Sequence, residues 1–424
     1  MNRQFKKDFL WGTATSAFQI EGGIDNDISD WEQQGKFKQN GYNPRVGQAV
    51  DHWNRWKDDF KLLKDLGVNS YRFSIEWARI EPEPGQYDQK SINQYLRMID
   101  TLLSLDIIPM MTLHHFTHPH WFHKRSPWHL SCSVEAFLRF VEKVIPQLID
   151  RIPYIITFNE PLVWLLAGYG DAKFPPGERN YRHLMDGLYN MLSAHREAYN
   201  FIKCYNKKCQ IGIAHNFINF KRAPNGSVID RKLKRIIHNF YNYMIIDAFN
   251  QNKLEGHFPL LLSYNRPIHL NDKIDFWGIN YYYRLHVRFR MNLKHPFDLL
   301  SISRSSGEGK SDLDWEIYPK GLLKICRWLK STNNPLIITE NGIACKDDTN
   351  RIKFLQSHLQ MMETAIDEGH DIRGYFYWSL MDNYEWLIGQ DARFGLYKVD
   401  YSNMQRIKNL SVDFYRDYIQ KTTQ

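Results

Sequence analysis

Two glutamates close short apolar runs in this chain, Thr157-Phe158-Asn159-Glu160-Pro161 and Ile338-Thr339-Glu340-Asn341-Gly342. Such runs read as strands, and the C-terminal end of a strand is where barrel enzymes place reacting groups. A single strand-end glutamate is most often an ion-pair partner. A pair facing across a pocket is what cleavage of a glycosidic bond requires: one carboxylic acid protonates the leaving oxygen, and the other carboxylate attacks the anomeric carbon or activates water. Direct attack, with retention, calls for carboxyl groups about 5 to 5.5 Å apart. A second cluster, His114, His115, His118, His120, His123 and His129, crowds one loop. Zinc needs a fixed tetrahedral set, and Pro119 interrupts this run, so no resident metal is expected.

The elements that must position the two carboxyls are legible as an alternation. Eight β-rich apolar segments, at 9–13, 70–75, 107–113, 154–158, 210–215, 275–280, 336–339 and 372–379, are separated by stretches of helical period. Ile92, Tyr95, Leu96, Ile99, Leu102 and Leu103 recur on one helical face, and Trp53, Trp56, Phe60 and Leu63 on another that ends at Gly67. No G-x-G-x-x-G follows the first strand to suggest a dinucleotide fold. The pattern is α/β and favours a single (β/α)8 TIM barrel over residues 1–424, with the glutamates ending strands 4 and 7. The polar stretch 284–314 reads as a long mobile loop after strand six.

Composition removes several classes of function. Hydrophobic residues at 43% and charged residues at 24% suit a globular core. No run approaches the 18 or so apolar residues of a membrane span, and 1–11 does not form a signal peptide. The net charge is +8, but basic patches such as 231–235 sit beside apolar helix positions Ile236, Ile237 and Phe240. That is a solvated helix rather than a nucleic-acid footprint. Five scattered cysteines, Cys132, Cys204, Cys209, Cys326 and Cys345, indicate neither a disulfide framework nor a zinc site. A reducing, cytoplasmic setting is expected.

The two glutamate segments resemble the paired motifs of glycoside hydrolase family 1, the retaining β-glycosidases. The segment 9–23, FLWGTATSAFQIEGG, is similar to that family's N-terminal signature. The likeness continues through Tyr71-Arg72-Phe73-Ser74, Asn280-Tyr281-Tyr282, the run from Trp378 to Trp386, and Arg393-Phe394-Gly395. It implies Glu160 as acid/base, Glu340 as nucleophile, and Arg72 and Tyr282 as hydrogen-bond donors that favour the Glu340 anion. By the same likeness Gln19, His115, Asn159, Asn280, Trp378, Glu385, Trp386 and Phe394 would bind substrate, with Trp315 an aglycone platform and Glu21 structural. No metal or organic cofactor is implied, and the partner is a small-molecule or oligosaccharide β-glycoside.

Departures from the pattern fall on the leaving-group side. Leu162 stands where relatives commonly carry Trp, and Phe116-Thr117-His118-Pro119 replaces Trp-Asp-Leu-Pro. The 6-phosphosugar branch replaces the glutamate at position 385 and adds a lysine and a tyrosine downstream; here Glu385 is kept, with Ala392 and Phe394 in those two places. The reading is a β-glucosidase that tolerates galactosides or fucosides. Its rivals are a transglycosylase using the same intermediate and a catalytically silent sugar-binding barrel.

Overall fold

Eight parallel strands close into a barrel in a computed structural model that describes residues 5–37, 44–258, 262–289, 300–303 and 309–423. They are β1 (Leu10–Ala14), β2 (Ser70–Ser74), β3 (Ile108–His114), β4 (Tyr154–Asn159), β5 (Gln210–Asn216), β6 (Phe276–Tyr281), β7 (Leu336–Asn341) and β8 (Ile372–Trp378). Each pairs with its neighbours in chain order, and β8 returns to β1, so the barrel has no free edge to protect. All eight expected strands are present, with ends displaced by a residue or two. The displacement matters at β4 and β7, because Asn159 and Glu340 lie inside strands rather than beyond them.

Helices precede β2 to β8 in turn, the longest being Tyr181–Tyr205 before β5, and Leu410–Thr423 closes the ring. Helix His52–Leu66 buries Trp56, Phe60 and Leu63, while Trp53 is only partly covered. Gly67 takes φ 74°, and its N–H returns to the carbonyls of Leu63 and Lys64, a left-handed stop that a β-carbon would strain. Helix Gln89–Ser104 is capped by the Asp88 side chain and buries Ile92, Tyr95, Ile99 and Leu102. Leu103, expected on that face, is 41% exposed: it sits about 100° round the helix from Leu102, past the edge of the covered stripe.

Two apolar layers result. A small inner one plugs the barrel with Leu10, Met110, Ile156, Phe276, Ile337 and Phe376. A larger outer one packs alternate strand residues such as Ile155 and Ile338 against the helices, as the period of two demands. Above the plug the barrel interior turns polar. There the ladder breaks register, between Ile156 and Asn159 against β5, and between Ile338 and Glu340 against β6. Such irregularities re-aim side chains beside active sites, and both fall at the glutamate motifs. Gly342 is obligatory for close approach: a β-carbon there would lie 1.9 Å from the Trp378 carbonyl oxygen.

The stretch after β6 is not simply the mobile loop that was expected. Arg284–Phe289 is a strand that pairs in parallel with Asn219–Arg222 and antiparallel with Leu300–Ser303. Of the remainder of the expected loop, 290–299 and 304–308 lie outside the described residues. Among the described residues no helix is long and apolar enough to cross a membrane.

Candidate active site

At the C-terminal end of the barrel lies a cavity of about 230 Å³ whose walls include Glu160, Glu340 and Glu385. Glu340 is 3% exposed. Its Oε1 accepts from Arg72 Nη1 at 2.6 Å and its Oε2 from the Tyr282 hydroxyl at 2.5 Å. Burial first, and the Glu340 charge second, keep the Tyr282 phenol well above its usual range, so it remains a donor. Arg72 lies behind the wall, 1% exposed, and its other amino group donates to Asn159 Oδ1 at 2.6 Å. One guanidinium therefore aligns residues from β4 and β7, because its fork donates in two fixed directions.

Glu160 differs in both backbone and charge. Its φ and ψ of 45° and 54° are left-handed, a conformation that costs a non-glycine residue about 1 to 3 kcal/mol. Pro161 follows as the first residue of a short helix, and the turn carries the carboxyl back over the barrel mouth. Oε1 accepts from Asn280 Nδ2 at 2.7 Å and Asn216 Nδ2 at 3.2 Å. Burial, helped by the Glu340 charge, raises its pKa to about 8 against the opposing pull of Asn280, Asn216 and Arg72. The two glutamates thus meet in one pocket in different environments, one on a guanidinium and the other on amides.

Gln19, His115, Asn159, Trp378, Trp386 and Phe394 also line the cavity. Gln19 Nε2 donates to the Tyr384 carbonyl at 2.8 Å and to Glu385 at 3.3 Å. Asn159 spends its oxygen on Arg72 and Asn280, which turns its amino group toward His115 Nε2 at 3.2 Å. Burial, then Arg72, keeps His115 neutral. Its ring lies 6.0 Å from Trp378, nearly parallel. Trp386 is stacked on Phe18 and flanked by Phe116. Glu385 is pushed up to about 8 by burial and Glu340, so at neutral pH it is held protonated and can donate as well as accept. Among the described lining residues there is no lysine or arginine. Arg393 turns away to Asp382 at 3.0 Å.

Asn280, expected to bind substrate, is not on the pocket wall. It is fully buried, and its amide is spent on Glu160, Asn159 and Thr339. Glu21 is likewise withdrawn, accepting from Tyr95 and Arg79. Trp315 does line the cavity, 4.5 Å from the Tyr283 ring. Its place is set by the next residue, since Glu316 is clasped by Arg284 and His286 of the added strand. Sequence reasoning missed Asn216, Tyr241, Val163, Ala167 and Phe174, all on the walls. The only available signal was that Val163 and Ala167 lie one and two turns beyond Glu160.

The histidine loop is a hydrogen-bond network. Asp27, His118 and His123 bring three ligand-type atoms together. However, Trp128 Nε1, which can only donate, points at His118 Nε2 at 2.7 Å. His118 must therefore carry its proton on Nδ1, the atom 3.0 Å from Asp27 Oδ2. The nitrogen a metal would need is already a donor. Burial alone would raise Asp27, but His118 and His123 overcome this and hold it well below the usual carboxylate range.

A closed barrel with three carboxyls and several aromatic rings in one pocket is the architecture of a carbohydrate-cleaving enzyme, and comparison with known proteins agrees. The sequence profile of glycosyl hydrolase family 1 matches residues 1–424. Beta-glucosidase A of Thermotoga maritima is 34% identical, over 98% of both chains. Among solved structures, a beta-glycosidase from Pyrococcus horikoshii superposes with a TM-score of 0.90 at 37% identity, over 100% of this chain and 96% of that one. A beta-glucosidase from Thermotoga maritima in complex with deoxynojirimycin gives 0.88 at 32%, with both chains fully covered. The chain belongs to glycosyl hydrolase family 1 and is a glycoside hydrolase.

Proposed function

We propose that residues 1–424 act as one catalytic domain, a retaining β-glycosidase that removes non-reducing terminal β-D-glycosyl units, β-glucosides foremost, with galactosides and fucosides tolerated. The observation that carries this reading is the asymmetry of the two carboxyls: Glu340 accepts from Arg72 and Tyr282, while Glu160 is held protonated to about pH 8. A carboxylate nucleophile opposite a carboxylic acid is the double-displacement pair.

In the first step Glu340 attacks the anomeric carbon as Glu160 delivers its proton to the departing oxygen. Once the covalent ester removes the Glu340 charge, one cause of the raised Glu160 pKa is gone, and Glu160 becomes the better base that deprotonates water for the second step. Gln19, His115, Asn159, Glu385 and Trp386 would grip the glycone, with Trp378 as its floor and Trp315 facing the leaving group. The inhibitor-bound Thermotoga structure and the curated beta-glucosidase names support a glucose-like glycone. Five unpaired cysteines are in keeping with a cytoplasmic setting.

The test is a panel of nitrophenyl β-glycosides with the fresh product followed by proton NMR. Hydrolysis led by the glucoside, with the β-anomer appearing first, is expected. An initial α-anomer would refute retention, and inactivity across the panel would refute the glycosidase reading.

A further inference from the structure

A polar unit behind Glu160 has no part in the chemistry above. Tyr241 lies in a π-helical turn, Asn239–Tyr243, a distortion that concentrates at functional sites. The turn is fastened to the end of β5. His215 Nε2 donates to the Tyr241 carbonyl at 3.0 Å, and Asn242 exchanges two bonds with the backbone of Ile218. Tyr241 and Asn216 both reach the cavity wall, and both are more than nine-tenths buried.

The Tyr241 hydroxyl donates to Asn216 Oδ1 at 2.9 Å. With that oxygen taken, the atom 3.2 Å from Glu160 Oε1 is the Asn216 amino group. Asn280 donates to the same oxygen at 2.7 Å, and Thr339 fixes its amide in the same manner. Oε1 therefore receives two N–H bonds. An oxygen so occupied is the poorer seat for a proton, which is left to Oε2.

We propose that Tyr241 is a positioning residue for the acid/base: by locking the Asn216 amide it keeps an N–H on Oε1 of Glu160 and so holds the transferable proton on Oε2, toward the leaving oxygen. The proposal rests on the acid/base assignment of Glu160. The proton passes from Oε2 to the leaving oxygen as the glycosidic bond breaks, and one is regained from water in the second step. The titratable groups that face Glu160 are Glu340 on β7, Arg72 on β2, Tyr282 beyond β6 and Tyr241 itself.

The experiment measures the pH dependence of kcat/KM in the full chain for wild type, Tyr241→Phe, Asn216→Ala and the double variant, on an alkyl and a dinitrophenyl β-glucoside. Loss of one donor to the anion should move the basic limb up by about 0.5 to 1 pH unit in each single variant. The double variant should move it no further, because the two residues act in series. Misplacement of the proton should lower kcat/KM about tenfold more on the alkyl glucoside than on the dinitrophenyl glucoside. A limb that moves in Asn216→Ala and not in Tyr241→Phe overturns the relay; a limb fixed in both overturns the Asn216 contact as well. If Tyr241→Phe does not fold, Asn216→Asp decides, since a carboxylate beside Glu160 must raise the limb above that of Asn216→Ala, and equal limbs overturn the proposal. A wild-type profile without a basic limb would overturn the role of Glu160 itself, and the relay with it.

Discussion

Replacing Glu160 by glutamine tests the division of labour with little disturbance of the fold. The carboxamide has the shape of the carboxyl, and its oxygen can still accept from Asn280 and Asn216, which now hold Oε1 at 2.7 and 3.2 Å. What is lost is the transferable proton, a contribution of about 10² to 10⁴ in rate for general acid catalysis. An alkyl glucoside, whose leaving oxygen must be protonated, should lose kcat/KM by that factor. A dinitrophenyl glucoside should keep its first-step rate within about threefold, because its leaving anion needs no proton. The pH profile gives an independent check. Burial and Glu340 raise the acid above its unfolded value, to about 8, so the proton is retained below that pH and lost above it. Wild-type kcat/KM on the alkyl glucoside should then fall about tenfold per unit above pH 8, and the residual activity of the glutamine variant on that substrate should lack this limb. Stopped-flow release of dinitrophenolate and steady-state assays from pH 5 to 10 measure both. Equal losses on the two substrates, or a limb that survives the substitution, would refute the assignment.

Arg72→Met should leave Glu340 buried without its cation at 2.6 Å, costing about 3 to 5 kcal/mol and lowering kcat/KM on every leaving group alike by at least about a hundredfold; activity within tenfold of wild type would contradict this. A nitrophenyl β-glucoside should exceed its 6-phosphate in kcat/KM by about a thousandfold or more, since the described pocket wall offers three carboxyls and no lysine or arginine to a dianion; comparable values would show that the wall is read wrongly. Gly342→Ala should lower the melting midpoint markedly and abolish activity, because its β-carbon would fall 1.9 Å from the Trp378 carbonyl oxygen, an overlap in the class of large destabilisations above about 4 kcal/mol; a variant that melts normally would argue against this contact.

Eight strands, their order and the two glutamate motifs were legible in the sequence because each depends on local signals: an apolar run, a helical stripe, a glycine stop. Local signals also suffice to put Glu160 and Glu340 at strand ends, and barrel closure then brings them into one pocket. They do not determine which way a side chain faces once strands slip register. Asn280 and His115 both belong to motif-like segments, yet the bulges and tertiary neighbours turn Asn280 behind Glu160 and leave His115 on the wall. The strand Arg284–Phe289 escaped notice because its partners, Asn219–Arg222 and Leu300–Ser303, are supplied by tertiary pairing, and without a partner a polar stretch reads as a loop. Asn216 and Tyr241 lie 25 residues apart on a strand end and a π-turn with no shared motif. Charge was decided at the same level: the proton on Glu160 or Glu385 depends on burial and on the distance to Glu340, and both exist only when distant strands have closed the barrel.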